Sequence, residues 1–531
     1  MWKGKRKQKK QALTDRPELR AYFDQKIEAR AEDTPIHTRV DENVSRIQDW
    51  LGHPPDLLVR QLHIRGKTPA AIVYFDVLVD TRHLNEHILN PLLTGEEDGN
   101  APYVGLPKLW DVLQVGSLRE VERMADALRA LLSGCALLFV QGASRAVAID
   151  IKGWEMRSVD EPRAESVVRG PREALMENAH VNLGLLRARM RDPDLRVERR
   201  VFGQRTQTDV YILYIDGIVN TKALAELKRR LDNIRIDGML DSGYLEELIE
   251  DSSWSPFPQV QATERPDKVA AHLLEGKIAI LVNGSPLALI VPAVFHQFYH
   301  AAEDYYERAL IASLVRIIRL FSLIISLLLP SLYIAFVSFH PEMLPTELAI
   351  AMAAGRATVP FPSIIEALIM EVMIEILREA SVRLPGPIGP TIGIVGGLVI
   401  GESAVRAGLV SPLMVIIVAV TTIGSFAIPS YSAAIPLRML RFPLMFISAS
   451  FGLYGLMIGV LLILLHLSTL KSFGVPYLAP LTPFRPTDSK DVLLRFPWTW
   501  LRTRPQMFRP RQDIRNATPN RQPSDEEGSP A

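Results

Sequence analysis

Four glutamates interrupt an apolar stretch of the chain at 364–380: Glu366, Glu371, Glu375 and Glu379. The last three recur every four residues, which places them on one face of a helix. Carboxylates are costly in lipid, so such a helix faces protein or water, or lies at the membrane interface. The pattern predicts either a path for cations or an amphipathic helix that packs within its own bundle, and the spacing favours neither.

Two arginines offer partners for carboxylates in this region. Arg378 follows Glu375 by three residues, and Arg406 follows Glu402 by four. Both spacings allow an ion pair on one helix face. Glu402 also lies just past an uncharged run, near a membrane boundary. We therefore count it among the ion-path candidates, where it either pairs with Arg406 or marks one mouth of a channel.

A strip of glycines lies in the next apolar run, at strict four-residue spacing: Gly389, Gly393, Gly397 and Gly401. Small residues at this spacing line one helix face, where neighbouring helices approach closely. Helices crowded around a pore would use such a face, and so would any tight helix pair. The strip therefore predicts helix packing.

Metal chemistry has two weak candidates. His83 and His87 enclose a glutamate in the H-x-x-E-H pattern of some zinc peptidases, but a third ligand is not evident and surface histidines are the favoured interpretation. His296 and His300, with Glu303 beyond, have similar spacing, which an interfacial helix explains as well. A membrane-anchored metallopeptidase is thus a distant alternative. No Walker A, G-x-G-x-x-G or G-x-S-x-G motif is present, and we predict no catalytic residue, metal or cofactor.

The elements that position these residues are membrane helices. Uncharged runs occupy 320–339, 384–401, 407–437 and 442–470. A helix needs about 20 apolar residues to cross the hydrocarbon core, and only helices and closed barrels satisfy their backbone groups there. The C-terminal half is therefore predicted to be an all-α, multi-span membrane domain.

The number of crossings stays open. Basic residues before the first run and after the last place both ends in the cytosol by the positive-inside rule, which requires an even number. Four crossings, with the glutamate helix at the interface, leave Arg438 and Arg441 outside. If the glutamate helix crosses, these arginines are inside and the C-terminus is outside. We favour four.

Composition separates the two halves. The chain has 531 residues, 48% hydrophobic, with net charge +1, so no overall charge points to nucleic acid. Its one cysteine, Cys135, excludes a disulfide framework. The basic N-terminus is not followed by the apolar stretch of a secretory signal, so the N-terminal half is expected in the cytosol.

The N-terminal half contains a repeat. The pattern at 73–81 returns 140 residues later, and a Gly-led hairpin near Gly142 returns as Asn283-Gly284. We predict two related α/β subdomains, at 41–165 and 166–300. A basic arm (1–40) precedes them, the membrane domain (301–485) follows, and a tail (486–531) is expected to be disordered from about Arg504.

Several segments carry a resemblance to one family. They include Thr263-Glu264-Arg265-Pro266-Asp267, Pro360-Phe361-Pro362, Glu375-Ile376-Leu377-Arg378-Glu379-Ala380 and Ser472-Phe473-Gly474-Val475-Pro476-Tyr477. Over roughly residues 40–485 the chain resembles the A subunit of the GerA family of bacterial spore germinant receptors.

This resemblance implies a nutrient-sensing receptor in the inner membrane of the spore. It implies a transporter-like B subunit, which binds the nutrient, and a lipoprotein C subunit as partners. It also implies a homo-oligomeric channel that releases monovalent cations and contacts membrane lipid. The alternative is a secondary transporter of a small solute, but transporters carry repeats within the membrane, and here the repeat is in the soluble half. The nutrient, the subunit number and the pore-lining helix stay open.

Overall fold

The computed structural model describes Ile27, Ala31 and residues 34–94, 113, 115–153, 161–383 and 388–515, without the side chains of 382, 388–395 and 398. The chain divides into two compact units. One, the α/β unit, consists of Met1–Glu250, Val260–Pro292 and Phe496–Ala531. The other, the helical unit, consists of Asp251–Gln259 and Ala293–Arg495.

The first subdomain is a five-stranded antiparallel sheet of strand order β1-β2-β4-β5-β3 with helices on both faces. Alternate residues of β2 and β4 point to opposite faces, so Val73 packs under one helical layer and Ile72 under the other. The elements are α1 (Val40–Leu51), β1 (Leu57–Ile64), β2 (Thr68–Phe75), α2 (Thr81–Leu84), a π-helical turn (Asn85–Leu89), α3 (Asn90–Thr94), β3 (Leu118–Val121), α4 (Met124–Leu132), β4 (Cys135–Val140) and β5 (Ala146–Asp150).

The second subdomain repeats this design, with strand order β6-β7-β9-β10-β8. The identical order confirms the two related α/β subdomains predicted from the sequence. Its elements are α5 (Ala179–Arg189), β6 (Leu195–Phe202), β7 (Thr208–Ile215), α6 (Thr221–Asp232), α7 (Ser242–Ile249), β8 (Gln261–Thr263), α8 (Pro266–Leu274), β9 (Ile278–Val282) and β10 (Ala288–Val291). The Asn283-Gly284 turn joins β9 to β10, with Gly284 at φ 95°, a conformation that glycine adopts without strain.

A buried ion pair joins the two subdomains. Arg187 of α5 donates from Nε and Nη2 to the carboxylate of Asp56, at 2.6 and 2.9 Å. Both side chains are 2% exposed. The guanidinium also lies 4.4 Å from the ring centre of Phe75. A bidentate pair of this kind fixes geometry as well as charge.

The C-terminal segment, residues 504–515, departs from the expected disorder. It packs on the second subdomain, with Met507 and Phe508 buried. Its contacts are long-range in sequence, reaching back to Leu274 and Asn220, and local composition does not encode them. Residues 516–531, and most of the basic arm at 1–40, lie outside the described residues.

The helical unit contains α9 (Ala309–Ser338), α10 (Thr346–Arg356), α11 (Ser363–Arg383), α12 (Ile388–Arg406), α13 (Pro412–Phe426) and α14 (Tyr431–Thr469). Among the described residues, α9 and α14 are long and apolar enough to cross a membrane, and α13 is a shorter apolar helix. The α-helical C-terminal region and its apolar helices agree with the predicted fold class.

Helix α14 is broken at Gly452, whose backbone is non-helical at φ 61° and ψ −143°. A Cβ on Gly459 would lie 2.5 Å from Cδ2 of Leu444, whereas a straight helix separates residues 15 apart by about 22 Å. The chain therefore reverses at Gly452 into a first arm (431–451) and a second arm (453–469). The apolar run 442–470, read from the sequence as one segment, is divided by this reversal.

Candidate functional site

The glutamate helix predicted from the sequence is α11. Good helix formers (Leu, Met, Glu, Ala) are frequent in it, and it begins directly after Pro362, which cannot donate a backbone hydrogen bond. It packs against α9, α12, α13 and α14. Its carboxylates can therefore contact side chains from several neighbouring helices.

Glu366 is fully buried at the start of α13. Its carboxylate accepts a hydrogen bond from the backbone N–H of Ser411, at 2.5 Å, and lies 3.4 Å from Nε of Arg356. Ser411 caps the N-terminus of α13, where the helix dipole also favours negative charge. Glu366 thus ties the end of α10 to the start of α13.

Glu371 forms a deeply buried ion pair with Arg441 of the first arm. The two side chains are 3% and 2% exposed, and Arg441 also donates from Nε to the carbonyl of Ser326, at 2.9 Å. Within the described part of the chain, Oε1 of Glu371 and Nη2 of Arg441 are buried and find no hydrogen-bond partner. The pair leaves one acceptor and one donor position free.

Glu375 lies between two arginines. Nη1 of Arg378 and Nη1 of Arg438 are each 3.0 Å from one of its carboxylate oxygens. Arg378 also donates to the hydroxyl of Ser425, at 3.2 Å. The glutamate side chain is 46% exposed, whereas each arginine is 11% exposed. The cluster carries one excess positive charge.

The two remaining ion-path candidates lie at the surface. Glu379 pairs with Arg383, and Glu402 pairs with Arg406 at the predicted spacing; all four side chains are more than half exposed. Exposed pairs of this kind contribute little to stability. The structure therefore brings Glu366, Glu371 and Glu375 into the bundle and leaves the other two outside it.

The glycines of α12 face helices of the same chain. A Cβ on Gly397 would lie 3.9 Å from Leu377 of α11, and one on Gly401 would lie 3.4 Å from Val415 of α13. Gly396, outside the predicted strip, is tighter, at 2.9 Å from Leu377. The surroundings of Gly389 and Gly393 fall outside what the structure describes.

The histidines make ordinary contacts. The rings of His83 and His87 lie 4.4 Å apart. His296 lies in a short 3-10 helix (Phe295–Phe298) and His300 lies just past it. Both side chains are buried, with ring nitrogens 3.1 and 2.9 Å from backbone carbonyls, in place of the interfacial helix expected there. Within the described residues, no group of three or more His, Cys, Asp or Glu side chains could hold a metal ion.

Sequence reasoning missed three arginines as partners: Arg356, Arg438 and Arg441. Arg438 and Arg441 are 63 and 70 residues from the glutamates that they bind, so helical spacing could not reveal them. The sequence did show two arginines three residues apart between uncharged runs. Arginines at membrane depth need partners, so this pattern indicated that carboxylates lie nearby.

Comparisons with known proteins agree on one family. The family described as "Bacillus/Clostridium GerA spore germination protein" matches residues 45–507. The chain is 42% identical to the uncharacterized membrane protein YfkQ of Bacillus subtilis (94% of this chain, 96% of that one). It is 41% identical to spore germination protein KA of Bacillus subtilis (92% and 90%) and 41% identical to spore germination protein GerLA of Bacillus cereus (88% and 94%).

One solved structure is also similar: the N-terminal domain of the A subunit of the Bacillus megaterium spore germinant receptor GerK3. The identity is 34% and the TM-score 0.40, over 49% of this chain and 98% of that one.

Proposed function

Because the chain belongs to the GerA family of spore germination proteins, and is therefore a germinant receptor subunit, we propose that it is the A subunit of a nutrient-gated, cation-conducting receptor. In this proposal it acts with a transporter-like B subunit and a lipoprotein C subunit in the inner membrane of the spore. Several copies assemble, and the helical unit conducts monovalent cations.

The observation that carries the conduction proposal is the buried pair Glu371–Arg441. Replacing a buried ion pair by apolar residues of similar volume is often neutral or stabilising, so a bundle selected only for stability has no need of one. This pair also keeps an acceptor oxygen and a donor nitrogen free. Such groups suit a site that water or a cation enters.

The arginines define the resting state in this proposal. Each candidate carboxylate has an arginine nitrogen within 3.4 Å of one of its oxygens. The resting subunit therefore presents little net negative charge to a cation. Conduction then requires that a carboxylate exchange its arginine for the passing ion. A nutrient signal that separates α11 from the first arm would expose Glu371 and open the path.

We further propose six membrane passes, two more than the sequence favoured. Helix α11 starts beside the far end of α9, where the hydroxyls of Ser363 and Ser338 are 2.6 Å apart. Helix α13 ends beside the first half of α9, where a Cβ on Gly424 would lie 3.0 Å from the carbonyl of Ser322. Both helices therefore run antiparallel to α9.

Helix α12 and the first arm run parallel to α9, and the second arm runs antiparallel to it. Helix α12 follows α11 and ends at Arg406. Two residues later, a Cβ on Gly408 would lie 3.1 Å from the carbonyl of Thr358, just before α11. The first arm runs parallel to α9, from Arg441 at Ser326 to Gly452 at Phe339. The second arm reverses. Six passes leave both ends on one side, as the positive-inside rule requires.

Thiol labelling tests this topology. In a chain whose native cysteine is replaced by serine, Thr358→Cys and Ser430→Cys should react with a membrane-impermeant reagent from opposite faces of the membrane. Labelling of both from the same face would contradict six passes.

Affinity purification tests the assembly. The full chain, tagged at its N-terminus and extracted from spore membranes in mild detergent, should recover a transporter-like protein and a lipoprotein in fixed ratio. A chain with the exposed charge removed by Glu379→Gln serves as the matched control and should recover both. Recovery of the subunit alone, in both chains, would contradict the receptor complex.

A further inference from the structure

The C-terminal segment is built into the second subdomain. The ring of Phe508 is fully buried, and Nζ of Lys277, itself 0% exposed, lies 4.5 Å from the ring centre. Nδ2 of Asn220 donates to the carbonyl of Phe508 at 2.9 Å. A segment held by a buried aromatic ring and long-range hydrogen bonds is part of the fold.

The first subdomain shows what this segment replaces. There the backbone N–H of Gly153, just past β5, donates to the carbonyl of Leu78 at 3.1 Å. In the second subdomain the N–H of Arg511 donates to the carbonyl of Ile218 at 3.0 Å. Leu78 and Ile218 are separated by the 140-residue offset of the repeat, so the same acceptor is satisfied from two different parts of the chain.

A second contact also occurs at equivalent positions of the two subdomains. A Cβ on Gly134 would lie 3.3 Å from Cγ of Lys152, and one on Gly276 would lie 3.2 Å from Cβ of Pro510. The two glycines are repeat mates, and each covering residue directly precedes the N–H donor. Residues 510 and 511 therefore take the places of 152 and 153.

The course of the chain after each hairpin explains the substitution. After β5 the chain continues along its own subdomain. After β10 it enters the helical unit at Ala293, and the backbone N–H of Phe295, the counterpart of Gly153, donates to the carbonyl of Tyr477 at 2.8 Å. The second subdomain thus has no local strand extension to cover Ile218.

We propose that the second subdomain carries a peptide-binding surface, formed by Ile218, Asn220 and 274–277, whose occupant is the chain's own C-terminal segment. Charge complementarity supports this occupant. Nη1 of Arg515 lies 3.4 Å from the carboxylate of Glu275, and Nε of Arg504 donates to the carbonyl of Leu274 at 2.6 Å. The segment completes the subdomain from a distant part of the chain.

Hydrogen exchange on the otherwise full-length chain tests the surface. A chain ending at Thr503 should exchange at least tenfold faster in β9 and α8, with β4 and α4 unchanged, because only the second subdomain loses its cover. A synthetic peptide of residues 504–515 should restore protection, and the same peptide with Phe508→Ala should not. Unchanged exchange in β9 after truncation would overturn the proposal, and so would equal rescue by both peptides.

A charge reversal keeps the test valid if the shortened chain fails to fold. Arg515→Glu should speed exchange in β9 by placing two carboxylates together. Arg515→Gln removes the pair without adding a repulsion, so it should speed this exchange less than Arg515→Glu does. Exchange in β9 that is the same in Arg515→Glu as in the parent would overturn the proposal.

Discussion

Two buried arginine–carboxylate pairs, one in each unit, differ in how completely they are satisfied. Arg187 and Asp56 meet through two hydrogen bonds, and Nη1 of Arg187 lies 3.5 Å from a third acceptor, the carbonyl of Leu195. Arg441 and Glu371 are equally buried, but among the described residues one nitrogen and one oxygen of that pair have no partner.

We call the Asp56–Arg187 pair the joint, because it holds the two subdomains in one geometry, and the Glu371–Arg441 pair the switch, because we propose that it opens. A pair whose donors and acceptors are satisfied loses its partners when it opens, so it holds one geometry. A pair with free positions can take up water or an ion when it opens, and its opening costs less. We therefore expect the first pair to act on stability alone and the second to act on conduction.

The largest effect should come from breaking the joint. Asp56→Asn leaves Arg187 buried without its counter-charge, and removing one partner of a buried pair costs on the order of 3–5 kcal/mol. The denaturation midpoint of the α/β unit should fall accordingly. The control is Asp76→Asn, at a half-exposed pair with His180, which should change little. Equal midpoints for the two variants would contradict the role of the joint.

Glu246 is a partly buried carboxylate near other carboxylates, and its charge should lower the stability of the α/β unit. Burial, together with Glu250 and Asp241, raises the pKa of Glu246 to about 7. The folded state then binds more protons than the unfolded state between the unfolded pKa near 4.5 and this value, so stability falls as the pH rises through that range, by up to about 3 kcal/mol. Glu246→Gln should flatten the pH profile of chemical unfolding; an unchanged profile would contradict the shift.

Changing the packing of α12 against α11 should cost less stability than breaking the joint. Gly396→Ala places a methyl group 2.9 Å from Cδ1 of Leu377 of α11. The leucine must turn aside to make room, and overpacking of this size costs about 1 kcal/mol. Gly397→Ala, at 3.9 Å, is the matched control and should be tolerated. Thermal denaturation in detergent measures both. Greater loss in the control would show that α12 packs on α11 differently.

The smallest effect is expected at Arg378. If the Arg378–Glu375 pair were fully buried, Arg378→Gln would be strongly destabilising. Glu375 is 46% exposed and keeps Arg438 as a partner, so the loss should stay below about 1 kcal/mol, as for exposed pairs. Subunit levels in membranes provide the measurement. A level reduced as strongly as by Asp56→Asn would contradict this ranking.

Local patterns predicted the parts of the molecule that local forces determine. The repeat and its Asn283-Gly284 hairpin follow from β-branched runs and turn residues, and the glutamate helix follows from its spacing. The Glu371–Arg441 pair, the reversal at Gly452 and the seating of Phe508 could not be predicted this way. Each depends on contacts between segments far apart in the chain, and an uninterrupted apolar run conceals a turn at one glycine.

Potassium release from spores tests the account most directly, because the switch predicts opposite signs for its two partners. Glu371→Gln leaves Arg441 uncompensated, which repels cations, so release after nutrient addition should slow when it is normalised to the subunit level. Arg441→Gln frees Glu371, so potassium should leak without nutrient. Glu379→Gln, at an exposed pair, should behave as the parent. If both partner variants release potassium normally, or change it in the same direction in step with subunit level, the pair is a packing element and the conduction proposal is wrong.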